Sequence, residues 1–213
     1  MIRLLLLTLV VWLAVPSADA QSRRPNPLGP QWVQLFNGED LTGWEEIGNE
    51  SWTVVDGVIF GEGVSEEYGY LATEKTYRDF HLSLRFKCDG DGNSGVYFHT
   101  AFKEGTATVI AGRQVEIDRV LGHHTGGVYS NSKGWIAWTA PEYGTVLRPN
   151  DWNDMLIQIE GNHYVVELNG IKVLDFTYPS PATEEGVIAL QLHSGGEGRM
   201  RFKDIYLRDL TRH

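Results

Sequence analysis

The sequence predicts an all-β protein, a single antiparallel β-sandwich of the jelly-roll kind. Three observations carry that reading. Apolar and polar side chains alternate with period two in one segment after another, glycine-bearing turns separate those segments at short intervals, and no segment sustains the 3.6-residue period of an amphipathic helix. Composition agrees: 24 glycines in 213 residues is about 11% against a usual ~7%, and aromatics are another 11%, with seven Trp and nine Tyr. Strands recur along the chain without an evident linker, and this length suits one domain rather than two.

The chain opens with a short positive start at Arg3, an almost wholly apolar run from Leu4 to Val15, and the small-x-small sequence Ala18-Asp19-Ala20. Residues 1–20 read as a secretory signal peptide, so export to the periplasm or the extracellular space is expected. The run is shorter than the ~20 residues a spanning helix needs, and no later stretch is long and apolar enough to span a bilayer. Residues 21–30 hold three prolines and read as a flexible leader, which leaves 31–210 as the single domain. The net charge of −10 argues against a nucleic-acid partner, which calls for a basic surface. The one cysteine, Cys88, excludes an internal disulfide framework and reads as a small buried apolar residue. Nothing in the sequence fixes the oligomeric state.

Taken in order, Phe80 to Lys87 alternates without error: Phe80, Leu82, Leu84 and Phe86 share one face, and His81, Ser83, Arg85 and Lys87 the other. Asp89-Gly90-Asp91-Gly92-Asn93 resembles half of a calcium loop, but no Glu follows at the required spacing, so it reads as a turn. Gly95 to His99 is the next strand, with Gly95, Tyr97 and His99 on one face. Gln114 to Asp118 places Val115 and Ile117 inward. Met155–Glu160, His163–Leu168 and Ile171–Phe176 are three strands joined by Gly161-Asn162 and Asn169-Gly170, and Asn-Gly is a strong hairpin signal. Ile188, Leu190 and Leu192 point inward, Gln191 and His193 outward, and Met200 to Leu210 reads as an edge or closing strand. Trp44, Trp52 and Trp152 are expected in the core.

The polar stripe Gln114, Glu116 and Asp118 is the most informative feature. Side chains two apart on a strand stand roughly 6.5–7 Å apart. Two carboxylates that close raise each other's pKa where they are shielded, which suits one as proton carrier and the other as an orienting or metal-binding group. Lys133, Trp135 and Trp138 follow, and aromatic rings beside carboxylates and amides are the chemistry of sugar recognition. Arg85, Tyr97 and Gln191 complete the candidate sugar contacts. His123-His124 is a weak zinc signal, since adjacent side chains on a strand point to opposite faces, and HExxH, paired CxxC and GxSxG are absent.

The strings WVQLFNGEDLTGW (32–44), WTVVDGVI (52–59), GNSGVYF (92–98), QVEID (114–118), Asn153 to Gly170, LQLH (190–193) and RFKDI (201–205) together resemble the DUF1080 family, also called the 3-keto-disaccharide hydrolase domain. The resemblance spans about residues 31–210 and implies a concanavalin A-like lectin/glucanase sandwich. This chain departs from it at His99, where many relatives carry Arg, and in the order Gln114 then Glu116. The implied activity is cleavage of 3-keto-glycosides or 3-keto-disaccharides by elimination and hydration. On that implication Glu116 is the expected base, His193 or His99 the proton donor or oxyanion partner, and Gln114 and Asp118 orient hydroxyls. If a divalent cation such as calcium takes part, Glu116 and Asp118 are its candidate ligands. Two alternatives stay open: a non-catalytic carbohydrate-binding module, and a conventional retaining β-glucanase, for which a second catalytic Glu is missing after Asp118.

Overall fold

The computed structural model describes residues 28–89, 93–118, 124–180, 184–193 and 198–211. The expected signal peptide 1–20 and residues 21–27 of the leader lie outside the described residues. The strands follow in chain order as β1 (Val33–Gln34), β2 (Trp44–Ile47), β3 (Ser51–Val55), β4 (Val58–Glu62), β5 (Gly69–Tyr77), β6 (Phe80–Cys88), β7 (Asn93–Phe102), β8 (Val109–Asp118), β9 (Val128–Ser130), β10 (Gly134–Ala137), β11 (Asn153–Glu160), β12 (His163–Leu168), β13 (Ile171–Thr177), β14 (Gly186–Leu192) and β15 (Arg199–Asp209). A 3₁₀ turn spans Pro141–Thr145. Among the described residues no helix is long and apolar enough to cross a membrane.

Two antiparallel sheets form the sandwich. One runs β13-β12-β11-β6-β15-β4-β3 with β1 added on β15, and the other runs β10-β9-β8-β7-β14-β5-β2, so the last strand, β15, is an interior strand between β6 and β4 and not the edge or closing strand expected. Alternation decides which side of each strand meets the other sheet. Leu82, Leu84, Phe86, Val115, Ile117, Ile188, Leu190 and Leu192 are all buried as expected, and each such side chain contributes about 1.5–3 kcal/mol of transfer free energy. Trp44, Trp52 and Cys88 join them. The β12–β13 turn holds Asn169 at φ 53° and Gly170 at φ 79°, the two positive angles of a type I′ hairpin.

Two expectations about faces are corrected. Trp152 is half-buried rather than core: it immediately precedes β11, and its ring lies 5.7 Å from the Arg85 guanidinium and 4.2 Å from Nζ of Lys203 on the outer surface. His99 does not share the face of Tyr97. The β7–β8 register shifts between Phe98 and Ala101, and His99 takes a left-handed φ of 51°, so period-two counting fails there.

On its outer face the seven-stranded sheet carries a second apolar cluster of Tyr70, Ala72, Tyr97 and Ala189. The tip of the β7–β8 hairpin packs over it through Phe102, Ala107 and Val109. That tip reaches Gly48, where a Cβ would stand 3.3 Å from the Ala107 side chain. The hairpin thereby forms one wall of a cleft on this face.

Candidate active site

The cleft has a volume of about 960 Å³, and Glu116 lies on its floor. Glu116 projects from β8 between two glycines: Gly95 of β7 is its register partner, and its backbone N–H donates to Gly127 O at 2.9 Å on the other side. Neither neighbour has a side chain, and the space is taken by Gln114 over Gly95 and by Trp135 beside Gly127. Glu116 is only 4% exposed, and both its oxygens are engaged: Asn93 Nδ2 donates to Oε1, and Gln114 Nε2 donates to Oε2 at 2.8 Å.

Gln114 reaches Glu116 by lying across Gly95. Its amide also donates to Ser94 O at 3.1 Å and Gln191 Oε1 at 3.2 Å. Ser94 Oγ in turn donates to Gln191 O at 2.7 Å, which ties β7 to β14 under the cleft. Burial pushes the Glu116 carboxyl up to about 7, with the Asp118 charge adding to the rise, while the Asn93 bond and His124 pull it back. A carboxylate held near neutrality, with both oxygens oriented by N–H donors, is suited to take and return a proton.

The flanks differ. On the β14 and β5 side, the Tyr68 hydroxyl lies 3.4 Å from Nε2 of His193, with the rings 4.8 Å apart, and Gln191 and Tyr70 complete the wall. Glu66 and Glu67 stand on the same loop as Tyr68 and also line the cleft. On the β9 and β10 side are Tyr129, Asn131 and Trp135, and Tyr97 OH donates to Asn131 Oδ1 at 3.0 Å. Trp135 stacks on Trp138 with ring centres 4.0 Å apart.

Of the residues singled out in the sequence, the structure brings Glu116, Gln114, Tyr97, Gln191, Trp135 and His193 to this one cleft. It places five elsewhere. Nε2 of His99 donates to Arg78 O at 2.6 Å, and its ring packs against Phe98 and Phe80 in the interior, so it is no proton donor to the cleft. Burial pushes its pKa down. Arg85 belongs to the opposite sheet, paired with Asp154 at 2.9 Å. Lys133 turns to the Tyr178 hydroxyl and ring. Asp118 does not line the cleft; it accepts from His124 Nδ1 at 2.8 Å. Trp138 backs Trp135 rather than lining the cleft.

The donor set does not fit a divalent cation. Amide N–H groups occupy both Glu116 oxygens and Asp118 is turned to His124, so the two carboxylates do not converge on one point. No group of three or more His, Cys, Asp or Glu among the described residues is placed to hold a metal ion.

Sequence reasoning missed Asn93, Tyr68, Tyr70, Tyr129, Asn131 and the Asp118–His124 pair. Asn93 was readable as more than a turn residue, since it pairs with Asp118 two register steps from Glu116. The tyrosines carry no signal of their own, because an aromatic on a strand reads equally as core.

Three comparisons bear on this geometry. The family model described as the 3-keto-alpha-glucoside-1,2-lyase-like domain matches residues 31–208. A 3-keto-disaccharide hydrolase of Bacteroides thetaiotaomicron is 27% identical over 77 residues, covering 32% of this chain and 27% of that protein, so the match spans little more than a quarter of that relative. Among solved structures, a Parabacteroides distasonis protein provisionally described as a glycosyl hydrolase superposes with a TM-score of 0.65 at 22% identity, covering 84% of this chain and 94% of that one. The CBM66 carbohydrate-binding module of Bacillus subtilis gives 0.59 at 15% identity, covering 78% and 96%. At these identities the two structures show a shared fold.

Proposed function

The chain belongs to the 3-keto-alpha-glucoside-1,2-lyase-like domain family, and from that premise we propose that it cleaves 3-keto-glycosides by elimination followed by hydration. The observation that carries the proposal is Glu116: a buried carboxylate on the cleft floor, its pKa pushed up to about 7, with the Asn93 and Gln114 amides donating to its two oxygens.

A 3-keto sugar has an acidic C2–H, because the C3 carbonyl stabilises the carbanion as an enolate. Glu116 removes that proton, and the C2–H electron pair moves into the enolate. The enolate then expels the C1 oxygen, forming the C1=C2 bond of an enone. The departing oxygen takes the proton that Glu116 now holds and leaves as an alcohol. Glu116 then takes a proton from water as the hydroxyl adds to C1 of the enone and returns that proton to C2, giving the free 3-keto sugar. Net consumption is one water per bond cleaved. His193 and Tyr68 supply donors to the C3 oxygen as its charge develops, and the Asn93 and Gln114 amides hold Glu116 in position for proton transfer in both halves. The unoxidised glycoside has no acidic C2–H, so this route is closed to it.

Incubation of the protein with a 3-keto-glucoside and, in parallel, with its unoxidised parent, each with and without EDTA, tests the reading. Cleavage of the keto sugar alone, indifferent to EDTA, is the expected result. Equal cleavage of both eliminates the keto-dependent route, and cleavage of neither favours a binding module.

A further inference from the structure

We propose that the cleft is directional: the group leaving C1 rests against Trp135, the C3 oxygen points to His193 on the opposite flank, and the preferred leaving group is flat, apolar and uncharged. The inference rests on the elimination reading and adds to it the orientation of the sugar and a class of leaving group.

The orientation follows from connectivity. C2 is bonded to both C1 and C3, so a C2–H directed at Glu116 sends the substituents of C1 and C3 to opposite sides of the carboxylate. Strand order supplies two opposite sides. From β8 the sheet continues through β9 to β10 one way and through β7 to β14 the other. At ~4.8 Å per strand, each flank is centred about 10 Å from the Glu116 backbone.

The flanks are chemically unequal. The β14 side presents the His193 imidazole and the Tyr68 hydroxyl, 3.4 Å apart, which are donors for an oxygen that gains charge. The β10 side presents Trp135. This ring lies over Gly127, where a Cβ would stand 3.1 Å from its Cζ3, so the glycine lets the indole close down beside Glu116. Trp138 fixes it from behind at 4.0 Å and 22° between planes, and the His124 ring lies 5.3 Å away. A clamped indole is a flat platform that loses little freedom when a ring stacks on it. No Lys or Arg lines the cleft among the described residues, so an anionic leaving group finds no cationic partner there.

The test compares 3-keto-glucosides of 2-phenylethanol and of ethanol, two primary alcohols of similar leaving ability. An aromatic pair gives roughly a three- to tenfold gain, and kcat/KM for the phenylethyl glycoside is expected to exceed that for the ethyl glycoside by that factor. Trp135→Leu is expected to bring the ratio to about one, while His193→Gln lowers both values and leaves the ratio. A ratio of about one in the native protein overturns the proposal without recourse to any variant, and so does a ratio that survives Trp135→Leu. If neither keto sugar is turned over, the elimination reading fails separately. Calorimetric binding of the unoxidised phenylethyl and ethyl glucosides then decides the platform: at least threefold tighter phenylethyl binding that is lost in Trp135→Leu supports it, and equal affinities overturn it.

Discussion

A Cβ on Gly95 would stand 2.5 Å from Cγ and 2.6 Å from Cδ of Gln114. The missing side chain is the space into which Gln114 leans over β7, where it meets Glu116 of its own strand and Gln191 of β14. Gly95 is therefore required here for close approach rather than for a special backbone angle.

Gly95→Ala is expected to fold, since its backbone does not need a positive φ, but to push Gln114 off Glu116. Loss of a hydrogen bond to a charged group costs about 1.5–3 kcal/mol, so turnover should fall roughly 10- to 100-fold. Steady-state kinetics with a thermal melt check this. Unchanged kinetics would show that the Gln114 bridge does not serve the carboxylate.

Glu116 sets a pH dependence with a defined sign. As a base it must be ionised, so kcat/KM should rise as pH increases and level off above about 7. Stability should move the other way. The folded protein holds the Glu116 proton up to about 7, whereas the unfolded chain releases it near ~4.3, so the native state binds more protons between those values and loses stability as pH rises through them. Glu116→Gln removes that loss. Its stability relative to native should improve by up to about 3 kcal/mol between pH 4.5 and 8, measured by urea denaturation at several pH values.

Glu50 is a buried carboxylate outside the cleft that holds one of its walls. Its Oε2 accepts from Val64 N at 2.5 Å and Ser65 N at 3.1 Å, and its Oε1 accepts from Ser65 Oγ at 3.0 Å. The same loop carries Glu66, Glu67 and Tyr68 to the cleft. Glu50→Gln turns one acceptor into a donor that faces donors, at a cost of about 1–3 kcal/mol. The expected signature is faster hydrogen exchange at the Val64 and Ser65 amides and a KM that rises more than kcat falls. Unaltered exchange at both amides would contradict the clamp.

Much of this was legible in the sequence, and the losses have physical causes. The eight expected core residues and the Asn169-Gly170 hairpin follow from period two and turn chemistry, which depend on neighbours in the chain. The stripe Gln114–Glu116 was legible for the same reason. His99 was lost because a bulge between Phe98 and Ala101 resets the alternation. Lys133 and Arg85 were lost because a charge reads identically whether it faces a ligand, Tyr178 or Asp154. Tyr68, Tyr70 and Tyr129 come together only through strand order, which no local pattern encodes.

The central claim is that Glu116 takes the C2 proton of a 3-keto-glycoside. Glu116→Gln keeps the size of the side chain and removes its basicity, and the one acceptor it loses is met by a turn of the Asn93 or Gln114 amide, so turnover of a 3-keto-glucoside by this variant, beside the native protein at pH 8, tests the claim most directly. A positioned base contributes roughly 10²–10⁴, so the expected result is a loss of at least about a hundredfold in kcat with little change in sugar affinity. Full activity in Glu116→Gln would contradict the claim and remove Glu116 from the base role.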